Sequence, residues 1–204
     1  MKKRNNCLIS ISPTFFLLIG LFFLMDKQGL LSQILLAAAA HEIGHVAAVY
    51  LVGGEIAQFR LTMFGGELQL LHPERLSYGR ELLAVLAGPG TNILCAVVLS
   101  RFAGGELLDI IVGVHLLLGL FNLLPVRFLD GGRAMELLLS WWTEPITADR
   151  WLHGINCAAL IICWLLTIFI QLRIGPELPM LIVGLWFFIC WCAETGIVKT
   201  AVCG

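Results

Sequence analysis

Six stretches of this 204-residue chain are apolar for long enough to span a bilayer, and no other feature limits its fold as strongly. They run over about Leu8–Met25, Leu30–Val52, Leu82–Ser100, Leu107–Leu124, Trp151–Leu172 and Leu178–Ala193. The first is interrupted by Pro13 and the last is short. Hydrocarbon offers no partner for backbone N–H and C=O groups, so each run has to satisfy its own as a helix. Composition agrees, because only 13% of the residues are charged and 59% are hydrophobic, where a soluble domain carries about 25% charged residues. The sequence therefore predicts an all-α polytopic membrane protein of about six transmembrane helices, in one domain over residues 1–204. A net charge of −1 gives a nucleic-acid partner no support.

The basic residues predict the orientation. With the N-terminus inside, the inner loops hold Lys2, Lys3, Arg4, Arg60, Arg75, Arg80, Arg127, Arg133, Arg150 and Lys199, while the outer ones hold Lys27, Arg101 and Arg173. Ten against three is a positive-inside bias that puts both termini in the cytoplasm. No A-x-A-like site follows the apolar run near the N-terminus, so no cleavable signal peptide is expected. The seven cysteines lie mostly within apolar runs and read as small hydrophobes, Cys190-Trp191-Cys192 included.

Residues 53–80, between the second and third runs, are too polar to span. Ile56, Phe59, Leu61, Met63 and Phe64 alternate in part, Gly65-Gly66 follows, and then Leu68 and Leu70. This pattern predicts a short membrane-associated β-hairpin with a glycine turn; an ordinary loop is the plainer alternative. Irregular backbone at membrane depth persists only where protein covers it or it lines a cavity.

The second run contains His41-Glu42-Ile43-Gly44-His45, flanked by alanines and valines. On a helix His41 and His45 stand one turn apart on one face, able to bind one zinc ion at about 2.0–2.1 Å. Glu42 is rotated by roughly 100° and sits beside the metal, where a general base for water belongs. Two histidines satisfied by neighbouring carbonyls are the bland alternative, but ionisable groups at membrane depth are expensive and usually functional. A catalytic zinc takes three protein ligands. His72, His115, His153 and the acids near the inner face are open as the third. Asp130 stands out, since Pro125 ends the preceding helix and Gly131-Gly132 lets backbone approach closely. An Asp-Gly-Gly is more often just a turn. His115, in the fourth run, reads as a buried histidine bonded to a carbonyl; His72 and His153 read as interfacial.

Three motifs occur in order over residues 41–133: HEIGH, Ala87-Gly88-Pro89-Gly90-Thr91-Asn92, and Asn122-x-x-Pro125-x-x-x-Leu129-Asp130-Gly131-Gly132. Together they resemble the site-2 protease family of intramembrane zinc metalloproteases (peptidase M50), and within it the SpoIVFB-like branch, here without a CBS or PDZ domain. The resemblance implies one zinc per chain, with Asp130 as third ligand and Asn122 near the substrate, and a core over about residues 30–140. Pro125, Gly65 and Gly66 join Asn122 as substrate-side candidates. The implied activity is zinc-dependent hydrolysis of a peptide bond in or near the membrane segment of a tethered protein, a sporulation sigma-factor precursor being one such substrate. The expected setting is the bacterial cytoplasmic membrane and its lipid bilayer. An inhibitory membrane partner and a homo-oligomer are left open. A zinc transporter would need polar groups on further helices and a through-path, and a non-catalytic scaffold would have no use for Glu42.

Overall fold

The computed structural model describes residues 8–26, 29–62, 65–102, 104–175 and 178–195. The expectations resting on Lys2, Lys3, Arg4, Cys7, Lys27, Met63, Phe64, Lys199 and Cys203 lie outside them. Among the described residues, three helices are long and apolar enough to cross a membrane: α2 (Leu31–Leu51), α3 (Tyr78–Ser100) and α6 (Pro145–Ile174), the last over Ile146–Arg173. The chain is an integral membrane protein. The helices α4 (Glu106–Asn122) and α7 (Leu178–Glu194) have 17 residues each. At 1.5 Å per residue that is about 25 Å, short of a hydrocarbon core of about 30 Å.

The first expected span is not one helix. Leu8–Ile11 form a strand, β1, and only Pro13–Met25 form a helix, α1. Pro13 divides them: a fixed φ and no N–H suit the first position of a helix. Thirteen residues reach about 20 Å, too little to span alone. Likewise the expected hairpin is part of a three-stranded sheet of order β1-β2-β3, with β2 at Ile56–Thr62 and β3 at Gly65–Leu70. Strand β1 runs parallel to β2, pairing Leu8 with Gln58 and Ile11 with Leu61. Strands β2 and β3 are antiparallel, pairing Phe59 with Leu68 and Leu61 with Gly66. An apolar tetrapeptide next to a helix carries no periodicity that separates strand from span; the partner strand, dozens of residues away, decides.

The chain divides into two compact units, Met1–Leu123 and Leu124–Gly204. In the first, Asp26 accepts from the backbone N–H groups of Leu30 (2.8 Å) and Leu31 (2.9 Å), capping the start of α2. The hairpin rests on the end of this bundle where Ile56 packs with Val49 and Ala84 under Leu68 and Leu70. Helices α2 and α3 approach through paired small residues. A Cβ on Gly44 would overlap the Thr91 hydroxyl, and one on Gly88 would overlap the His45 ring. Close backbone approach through small residues is how apolar helices pack where lipid competes with every larger side chain.

In the second unit, the turn before Asp130 is tied down by Asn156, whose Oδ1 accepts from the Arg127 N–H at 3.0 Å. The region expected as a loop from Arg127 to Arg150 contains a helix, α5 (Asp130–Trp142), which Asp130 begins. Gly132 is required by proximity: a Cβ there would collide with the Val126 carbonyl. Helices α6 and α7 bury Leu160, Phe187, Cys190 and Cys192. Neither of these cysteines is in a disulfide, in keeping with a packing role.

Candidate metal centre on the second helix

His41 and His45 are buried on α2 and their Nε2 atoms face one another at 3.1 Å. The helical period produces that arrangement, and the outer ring nitrogens hold it. His45 Nδ1 donates to the Ala84 carbonyl at 2.9 Å, which leaves Nε2 as the lone pair. His41 Nδ1 meets the Asn92 amide at 3.4 Å. Two imidazoles with inner nitrogens converging and outer nitrogens engaged are the arrangement in which histidines ligate a divalent metal. The residues fit such a group. A carbonyl can only accept, so Ala84 fixes the His45 tautomer in the form a metal needs.

Glu42 has an asymmetric environment. Its Oε1 accepts the Gly66 N–H at 2.8 Å, while its Oε2 is buried with no hydrogen-bond partner. Gly66 can come this close only as glycine, since a Cβ would overlap Glu42 Oε2 and lie 2.7 Å from the Phe59 ring. Of the two glycines expected to face substrate, Gly66 therefore has its amide on Glu42. Gly65, next to it, takes a φ of +121° that a side chain rarely adopts.

The edge of β3 follows from this contact. N–H groups alternate sides along a strand. The Gly66 N–H goes to Glu42, and the Leu71 N–H reaches back to the Glu55 carbonyl at 2.8 Å. Both bonds agree that the N–H groups of Gly66, Leu68 and Leu70 point away from β2. Strand β2 itself lies between β1 and β3, so Leu61 is not on an edge, contrary to a two-stranded hairpin.

The remaining candidates sort as follows. His115 is buried on α4, and its acceptor is not a backbone carbonyl but the Asn92 side chain, Nδ1 to Oδ1 at 3.1 Å. Sequence reasoning set this histidine aside; its distance from Asn92 along the chain gave no signal. Asn122 ends α4, half-buried, with its amide nitrogen on the Leu118 carbonyl at 3.0 Å. Pro125 follows the end of α4 and is half-buried. In the second unit Asp130 is the first residue of α5, also half-buried. His72 pairs with Glu74 at 3.2 Å, and His153 with Glu194 at 2.9 Å. Outside the membrane segments, backbone hydrogen bonding, with His72 nearby, holds the Glu74 carboxyl below its usual range.

Residues 105–166 match peptidase family M50. Stage IV sporulation protein FB of Bacillus subtilis is 26% identical over 165 residues, covering 78% of this chain and 57% of its own length. A zinc metalloprotease of Methanocaldococcus jannaschii is 32% identical over 108 residues, 49% of this chain and 31% of that protein. A relative from Synechocystis sp. is 27% identical over 155 residues, 63% of this chain and 41% of its own length. The chain thus spans about half the length of the relatives it matches, or less. The solved structure of the site-2 protease from Methanocaldococcus jannaschii shares the fold, with a TM-score of 0.64 at 23% identity over 95% of this chain and 93% of that one.

Proposed function

We infer that this chain, a relative of the family M50 peptidases, is an intramembrane zinc metalloendopeptidase that cuts a membrane-tethered protein in or near its membrane segment. One observation carries the reading. Two converging imidazoles stand on a membrane helix beside a carboxylate with one oxygen anchored and the other unpartnered. The proposed donor set adds the carboxylate of Asp130 to His41 and His45, and two imidazoles with one carboxylate are a combination suited to a catalytic zinc with an open position. When bound, zinc supplies Lewis acidity, polarising the scissile carbonyl and making water easier to deprotonate near neutral pH.

The chain's own groups do the rest. Glu42 takes a proton from the attacking water at Oε2 and delivers it to the leaving amine. The Gly66 N–H holds Oε1, so the carboxylate keeps one orientation through both transfers. A helical substrate hides its carbonyls in its own hydrogen bonds and has to be unwound before attack. The outward N–H groups of Leu68 and Leu70 supply an edge on which an extended segment adds as a strand, starting beside Glu42. Asn122 and Pro125, at the end of α4, belong to the substrate side of the same reading.

The basic asymmetry supports cytoplasmic termini in a bacterial membrane, with the cut made near the inner face. A tethered transcription-factor precursor, such as a sporulation sigma factor, is a substrate of the required kind; the likeness to the sporulation protein supports it. Co-expression with tethered candidates, wild type against Glu42→Gln, tests the activity. A shortened product with wild type alone is expected, and equal product from both would overturn the assignment.

A further inference from the structure

We propose that Asn92 and His115 support the ring tautomer of His41 that a metal needs, making His115 a positioning residue for the metal centre; this rests on reading His41 and His45 as the two imidazole ligands. Four polar groups form a continuous buried chain. His115 Nδ1 lies 3.1 Å from Asn92 Oδ1, Asn92 Nδ2 lies 3.4 Å from His41 Nδ1, and His41 Nε2 lies 3.1 Å from His45 Nε2. His45 Nδ1 then ends the chain on the Ala84 carbonyl at 2.9 Å. Asn92 is 0% exposed, His115 3% and His41 6%, so no bulk water interrupts the chain or replaces a member.

The Ala84 end is fixed, because a carbonyl only accepts. His45 therefore carries its proton on Nδ1 and presents a lone pair at Nε2. His41 has two ways to face it. Either His41 donates from Nε2, or it too presents a lone pair and both converge on a cation. The second way moves the His41 proton to Nδ1, which then needs an acceptor. Asn92 becomes that acceptor when its amide turns so that oxygen faces His41. The NH2 group then faces His115 and requires a lone pair on its Nδ1, with the His115 proton on Nε2. An amide's oxygen and nitrogen exchange places by one terminal rotation, so the same heavy-atom frame serves both directions. No proton enters or leaves: each imidazole moves its own from one nitrogen to the other. With a single polar neighbour, the amide would bury its NH2 group without an acceptor once its oxygen turns to His41; His115 is the second neighbour that supplies that acceptor. Partners of this kind, which orient a ligating histidine through its outer nitrogen, are typically worth about 10- to 100-fold in metal affinity.

The test uses the full chain in detergent micelles, with zinc affinity read by chelator competition. Asn92→Leu and His115→Leu are expected to weaken zinc by about 10- to 100-fold. His115→Gln restores most of the loss, since its carbonyl can accept from the Asn92 amide. In the Asn92→Asp background, His115→Leu changes affinity less than about twofold, because a carboxylate presents an acceptor whichever way it turns. In zinc-loaded protein carrying 15N-labelled histidine, the spectrum shows the His115 proton on Nε2. His115→Leu costing as much in the Asn92→Asp background would overturn the proposal as mere packing, and so would a His115 proton on Nδ1. His41→Ala separates the two levels. If it binds zinc undiminished, the ligand reading falls and this inference with it. If it loses zinc while Asn92→Leu and His115→Leu keep it, only the inference falls.

Discussion

The two carboxylate oxygens of Glu42 differ in environment, and that difference sets the residue-scale expectations. Glu42→Gln removes the proton acceptor and leaves every ligand, so cleavage should fall by about 100-fold or more with zinc content unchanged. Metal analysis beside a product assay checks both halves. Gly66→Ala should act on the same atom from outside, since its Cβ would collide with the carboxylate. Misplacing a catalytic group by about 1 Å costs on the order of 100-fold; cleavage is expected to drop while zinc stays bound. His41→Ala, His45→Ala and Asp130→Ala should each lower bound zinc; full metal content and activity in Asp130→Ala would send the search for the third ligand elsewhere. His41, Glu42 and His45 were legible in the sequence because a helix has a fixed period. The role of Gly66 was not, because it needs the hairpin to fold back over α2 (Leu31–Leu51).

Among the elements, β3 and α3 each offer a matched pair of substitutions. On β3 (Gly65–Leu70), Leu68→Pro removes an N–H that points away from β2, a position where an edge strand tolerates proline. It should leave zinc content and thermal stability near wild type and still cut cleavage strongly if substrate adds there. Gln69→Pro removes an N–H that points toward β2, so it should lower stability as well. Equal activity in Leu68→Pro and wild type would show that no strand is added at this edge. On α3 (Tyr78–Ser100), Gly88→Ala should weaken zinc by about tenfold or more although Gly88 is no ligand, because its Cβ would press on the His45 ring. Gly90→Ala, two residues on, meets nothing within 4 Å and should bind zinc as wild type does. Chelator competition on the two purified variants decides the matter.

For the molecule as a whole, the basic residues set one orientation across the bilayer. That orientation is measured at one site beside α6, one of the three long helices among the described residues. A single cysteine placed at Glu144, between α5 and α6 and flanked along the chain by Arg133 and Arg150, should resist an impermeant thiol reagent in intact cells and react after the membrane is opened. Labelling in intact cells would reverse the orientation inferred from the basic residues.

The sequence by itself determined what local chemistry can determine. The apolar runs of α2, α3 and α6 required helices, because lipid satisfies no backbone group, and the spacing of His41 and His45 put two imidazoles on one face of α2. Tertiary structure alone decided the rest. Leu8–Ile11 became a strand only because β2 lies beside it. Residues 130–142 became a helix where a loop was expected, its start packed against the Val126 carbonyl so closely that only glycine fits at 132. His115 joined the site through Asn92, on another helix and 23 residues away. Helical and strand periods act over a few residues and can be counted along a chain. A hydrogen bond or a missing Cβ between distant elements exists only once the chain has brought them together.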